Sequence, residues 1–373
     1  MFGHDAELDL AALDVKDSIG RIALPENHLL PRVFRGGSPS SDRREQSPSV
    51  ELHCFGKIRR RLDPLARSIG LAGACVLHGP PFVGRAAKAL FLNSNALWLT
   101  WDILGLSPLL ADGYVVVASD YPGLGVAGPP SYLVGISEGR ALLDSVRAVR
   151  RLPQAATGRR YTLWGQSQGG HAALFARQIA PSYAPELQLV GVAAAPPTDL
   201  AAITNADIGS QAGNIVASYA LSSWSHLYGT PLQAVVAEKA LPIMDRVAGD
   251  CAQTLGDQLL ISVHEAEFDA KILVADPATA KPWHELLARN SPGHAPIRAP
   301  LYIVQGDADK IVPPLVTAGY VDELCRRGET VQFEMIAGAG HMTAGERNAA
   351  IAAAWIRDRF ERSPVPNDCA ARS

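Results

Sequence analysis

Three residues of this 373-residue chain together carry the means of nucleophilic catalysis. Ser167 stands in "YTLWGQSQGGHAALFA", with Gly165 and Gly169 two positions to either side. Asp309 stands in "VQGDADKIVPP" and His341 in "IAGAGHMTAGE". A serine hydroxyl is a weak nucleophile until a base takes its proton. Histidine supplies that base, and a carboxylate fixes the histidine tautomer and stabilises the imidazolium. The flanking glycines suit a sharp strand-to-helix turn, which lifts a nucleophile clear of a sheet and crowds its neighbours. The N–H of Gln168 then opens a helix whose dipole favours negative charge, where an oxyanion would form.

Five letters of Gly-x-Ser-x-Gly are common by chance, and a plain turn serine is the bland alternative. Asp307 shares the acid loop with Asp309; it reads as a turn or capping residue and is the second candidate for the acid. Asp199, in "PPTDL", is a third candidate and otherwise an N-cap for the helix that follows. His171, four residues after Ser167, reads as a packing or capping residue. His226 is read as an ordinary histidine, with lining a pocket as its other role.

These residues need elements to position them. "GYVVVASDY" (113–121), "YTLWG" (161–165), "LVGVAAA" (189–195), "APLYIVQG" (299–306) and "VQFEMIA" (331–337) read as buried strands. Between them, 132–152, 168–180, 313–327 and 343–361 have helical spacing, the last with Ile351, Trp355, Ile356 and Phe360 on its apolar side. Strands alternating with helices predict an α/β fold, a mostly parallel sheet covered on both faces. Ser167, Asp309 and His341 each fall just past a strand, in the order nucleophile, acid, base. The alternation breaks over 197–298, which reads as an inserted helical cap above the strand ends where ligands bind in such sheets. The expected organisation is an N-terminal extension at 1–50, partly disordered and including the loop 36–49, a core at 51–196 and 299–373, and the cap.

Composition bounds the alternatives. The chain is 47% hydrophobic with a net charge of −3, which gives no bulk attraction for nucleic acid. No run approaches the roughly 20 apolar residues of a membrane span. The start, "MFGHDAELDLAALDV", lacks a basic region followed by an apolar one, so no signal peptide is read, which argues for the cytoplasm or for an incomplete start. The five cysteines show no metal-ligand spacing. Buried thiols are the simpler reading, with a Cys325–Cys369 disulfide as the alternative in an exported protein.

Longer motifs add to this. "NALWLTWDILGLSPLLADGYVVVASDYPGLG", "YLVGISEGRALLDSVRAVR", "WGQSQGGHAALFA", "VAAAPPTDLAA", "NADIGSQAGNIVASYALSSWSHLYG" and "GDADKIVP…GAGH" resemble the secretory lipase family of α/β-hydrolases over about 95–360. The resemblance implies a helical cap forming an acyl pocket, fatty-acyl esters such as glycerides as small-molecule substrates, transient contact with lipid surfaces, and export. It implies neither a metal nor an organic cofactor, and it places the nucleophile on Ser167, the acid on Asp309 and the base on His341. It also implies a second oxyanion donor from an "HGTTG"-like loop. Here "HGPPF" stands instead, pointing to Gly79, but Pro80 and Pro81 have no N–H to donate. The family cysteine that would partner Cys251 is missing. Residues 53–93 hold seven Lys and Arg against Asp63 alone, read either as a divergent solvated stretch or as a shifted frame; a nucleic-acid patch is a third reading, which the lack of interleaved aromatics disfavours. Two rival functions stand: a peptidase on the same fold, and a relative inactivated by a broken oxyanion loop.

Overall fold

The computed structural model describes residues 105–372 except 120, 124–128, 153–154, 196–198, 208–210, 250–262, 264–265, 269–271 and 294–298, and the backbone of three short strands further upstream. Those are β1 (Arg21–Ala23), β2 (Ala74–Leu77) and β3 (Ala89–Leu90). They join β4 (Val115–Ala118), β5 (Arg160–Gln166), β6 (Gln188–Ala195), β7 (Leu301–Gly306) and β8 (Val331–Ile336) in one sheet of order β3-β1-β4-β2-β5-β6-β7-β8. From β5 to β8 every pairing is parallel, as the alternation of strands and helices predicts. The β1 and β2 pairings are antiparallel, so these two strands run against the other six. β1 was not foreseen, since 1–50 was read as an extension.

The central strands are largely apolar because both faces are covered. Side chains alternate across the sheet. Val115, Val117, Leu163, Val192 and Ile303 pack on one side against α2 (Gly135–Arg150), α3 (Gln168–Tyr183) and α8 (Pro314–Arg326). Val116, Ala118, Trp164, Ala193 and Val304 pack on the other against α1 (Leu106–Ala111) and α9 (His341–Glu361). Trp355, Ile356 and Phe360 bury the α9 stripe, with Trp355 stacked on Tyr302. Ile351 departs from its expected place: it is 49% exposed, one helical turn before Trp355 and on the solvent side.

Among the described residues, four α-helices lie between β6 and β7: α4 (Leu200–Asp207), α5 (Gln211–Tyr228), α6 (Leu241–Gly249) and α7 (Trp283–Asn290). They enclose an apolar cluster of their own, including Trp224, Met244, Val247 and Trp283, and it is joined by Tyr132, Leu133 and Val134 from the segment before α2. Asp199 accepts from the N–H groups of Ala201 and Ala202 and so caps α4, the role its sequence context suggested.

The cysteine expectation resolves to the alternative: Cys325 and Cys369 form a disulfide. It pins the C-terminal tail beside the edge strand β8. There Asp368 accepts the Phe333 N–H and donates its own N–H to the Val331 carbonyl. Cys54 and Cys251, the loop 36–49 and most of 53–93 lie outside the described residues.

Candidate active site

Ser167 sits between β5 and α3 with φ 51° and ψ −118°, a region an L-residue adopts only under constraint. Three features impose it. The Ser167 N–H is bonded to the Ala195 carbonyl at the end of β6, 2.8 Å away. Its carbonyl accepts the first helical bond of α3 from His171 N–H at 2.9 Å. Gly165 and Gly169 lie so close that a Cβ on Gly165 would stand 2.1 Å from the Gly169 carbonyl oxygen. The glycine at the −2 position is therefore a steric requirement of this turn.

His341 Nε2 lies 2.8 Å from Ser167 Oγ, and His341 Nδ1 lies 2.9 Å from Asp309 Oδ2. A carboxylate only accepts, so Nδ1 carries the hydrogen and Nε2 is the acceptor for the serine hydroxyl. The Asp309 side chain is fully buried and that of His341 nearly so. Burial opposes ionisation of Asp309, but the His341 hydrogen bond and charge and the backbone N–H groups of Val312 and Ile311 outweigh it. They hold its carboxyl below the usual carboxylate range. The acid and base loops meet because Gly306 has no side chain; a Cβ there would lie 2.1 Å from the Ala339 carbonyl oxygen.

Two glutamines that sequence reasoning passed over support this arrangement. Gln166 Nε2 donates to the His341 carbonyl at 2.6 Å. Gln305 Nε2 donates to Asp309 Oδ2 at 3.3 Å, while its Oε1 accepts from Thr317 at 2.5 Å. The signal was present: each is a long polar residue near the buried C-terminal end of a strand.

Other candidates fall elsewhere. Asp307 accepts the Gly338 N–H at 2.6 Å and is a turn residue of the same loop. His171 is completely buried, bonded to Glu138 and to the Asn290 carbonyl. His226 bonds the Ser222 carbonyl one turn back in α5. Gln168 opens α3, and its backbone N–H is one of those a helix cannot satisfy internally. Gly79 lies outside the described residues. Leu77, two residues before it, pairs with Tyr161, at the end of β5 remote from Ser167. Among the described residues no cluster of His, Cys, Asp and Glu could hold a metal ion.

An apolar cavity of about 70 Å³ lies among the inserted helices, lined by Leu133, Leu200, Ala217, Trp224 and Leu287 among others. Among the described residues no helix is long and apolar enough to cross a membrane.

The secretory lipase family model matches residues 91–368. Lipase 5 of Candida albicans is 29% identical over 280 residues, which are 71% of this chain and 58% of that protein. "Probable inactive lipase MT1628" of Mycobacterium tuberculosis is 26% identical over 286 residues, 71% of this chain and 59% of that one. The chain thus spans less than two thirds of the length of the curated relatives it matches. Among solved structures, a ligand-bound form of the rice cell wall degrading esterase LipA from Xanthomonas oryzae superposes with a TM-score of 0.58 at 22% identity, covering 70% of this chain and 76% of that one. The architecture is the α/β-hydrolase fold.

Proposed function

From the premise that the chain belongs to the secretory lipase family, we propose that it hydrolyses carboxylic esters through an acyl-enzyme on Ser167. The observation that carries this reading is the continuous chain of hydrogen bonds from Ser167 through His341 to Asp309. His341 Nε2 takes the hydroxyl proton as Ser167 Oγ attacks the ester carbonyl. Asp309 holds the Nδ1–H and stabilises the imidazolium as it forms. The Gln168 N–H faces the developing oxyanion from the start of α3. The imidazolium then protonates the leaving alcohol, and His341 activates a water to release the acid. The substrate class is fatty-acyl esters, with the insertion as a cap and its cavity as the acyl site. The Cys325–Cys369 bond supports maturation in an oxidising compartment.

Hydrolysis of p-nitrophenyl esters from acetate to palmitate tests this. Wild type is expected to turn them over, and Ser167→Ala to lose at least about 10⁴-fold in kcat. Well-folded wild type without activity would overturn the reading.

A second reading, a relative that keeps the triad without working chemistry, is favoured by the direction of β2. That strand leaves the sheet away from Ser167. Loss of one oxyanion donor costs about 10²–10³ in kcat. An enzyme slowed by that factor, rather than silent, is the outcome expected if Gln168 acts without a second donor.

A further inference from the structure

A buried acid–base pair lies one helical turn along α3 from Ser167, and the triad makes no use of it. Glu138 Oε2 and His171 Nδ1 are 2.7 Å apart, and both side chains are wholly buried. His171 Nε2 faces the Asn290 carbonyl oxygen at 2.7 Å. A carbonyl only accepts, so Nε2 carries a hydrogen. One more proton lies between Nδ1 and the carboxyl. The pair is therefore neutral overall, whichever partner holds that proton.

The other carboxyl oxygen, Glu138 Oε1, accepts from two donors. One is the side-chain amide of Gln168 at 2.7 Å, the other the backbone N–H of Leu133 at 2.8 Å. Gln168 is 2% exposed, and its own Oε1 has no partner among the described residues, so the bond to Glu138 orients its amide. Leu133 has φ 53° and lines the apolar cavity. Asn290, at the end of α7, also accepts the Gly135 N–H at the start of α2. One carboxyl thus joins the start of the nucleophile helix to the cavity wall. Its histidine ties both to the last helix of the insertion.

We propose that Glu138, charge-balanced by His171, is the positioning residue that keeps the Gln168 backbone N–H and the Leu133 wall in register with Ser167. The proposal rests on the ester-hydrolase reading above. A misplacement of about 1 Å at a reacting site can cost on the order of 100-fold in rate. A lone carboxylate beside a forming oxyanion would oppose it, and the shared proton removes that charge. A purely structural pair would instead affect stability and leave the rate of folded molecules alone.

The test uses p-nitrophenyl acetate, whose acyl group is too short to need the cavity wall, and a boronic acid as a transition-state mimic. Wild type, Glu138→Ala, Glu138→Gln and Gln168→Ala are compared below each protein's melting temperature. Glu138→Ala is expected to lose about 10- to 100-fold in kcat with KM changed by less than about threefold, and to bind the boronic acid correspondingly more weakly. Glu138→Gln keeps an oxygen for both donors and offers an N–H to neutral His171, so it recovers to within about threefold of wild type. Wild-type kcat in folded Glu138→Ala, or a loss confined to KM, overturns the proposal. Should Glu138→Ala fail to fold, Gln168→Ala carries the test, since it keeps the backbone N–H and the buried pair. A kcat about tenfold lower is expected there, and wild-type kcat overturns the proposal. Inactive wild type removes the ester-hydrolase reading and this one with it. Active wild type with both alanine variants at its level removes this one alone.

Discussion

At the scale of single residues, the site depends on which groups carry hydrogens. Asp309 accepts from His341 Nδ1 and from two backbone N–H groups, all of which favour its ionised form. Replacing it by Asn keeps the shape and allows the wrong histidine tautomer, so Asp309→Asn is expected to lower kcat by roughly 10⁴-fold. The same contacts link Asp309 to stability. Its folded carboxyl is held below the unfolded value of about 3.9. The ionised form therefore stabilises the fold above that pH, and the contribution is lost as pH falls through the lower folded value. Thermal unfolding followed from about pH 5 down to pH 2 should show a shallower acid decline in Asp309→Asn than in wild type.

At the scale of elements, the turn between β5 and α3 and the tail against β8 are the places where a small change has a large effect. A methyl group on Gly165 would meet the Gly169 carbonyl carbon at 2.2 Å as well as its oxygen, and both atoms are backbone. Gly165→Ala must open the turn. It is expected to cost at least the 1–3 kcal/mol of an overpacked core and to abolish hydrolysis, as read by calorimetry and by the ester assay. The disulfide acts on the unfolded chain. Cys325 and Cys369 are 44 residues apart, and closing a loop of that size is worth about 4 kcal/mol by chain entropy. Cys369→Ser should lower Tm by several degrees while leaving kcat intact, because the disulfide lies beside the start of β8, at the opposite end of the parallel strands from Ser167. A loss of activity equal to the loss of stability would show that the tail matters to the site.

At the scale of the whole molecule, the size of the cavity between the inserted helices bears on substrate choice. A water needs about 10–15 Å³ of such space, so 70 Å³ admits roughly five groups of that size. If the cavity is the acyl site, as proposed above, it has room for acyl chains of about four to six carbons. Among p-nitrophenyl esters, kcat/KM is expected to peak at butyrate or hexanoate and to fall at least tenfold by palmitate. A maximum at palmitate would mean that the insertion opens well beyond the arrangement described here.

The sequence by itself determined what depends on near neighbours. Short apolar runs marked β4 to β8, and 3.6-residue spacing marked α2, α3, α8 and α9, because an apolar run and a stripe along a helix are local properties. The crowding around Ser167 was equally local, so its glycines marked the turn, and the loops after β7 and β8 supplied Asp309 and His341 in order. Tertiary structure decided what depends on distant segments meeting. Glu138 and His171 are 33 residues apart, and only the packing of α2 on α3 joins them. Gln166 and Gln305 were long polar residues near strand ends until the loops they brace came together. The choice between thiols and a disulfide waited on the tail reaching α8. The direction of β2 was beyond local pattern altogether, because a four-residue apolar strand buries the same side chains whichever way it runs. Its pairing partners alone set where the chain leaves the sheet.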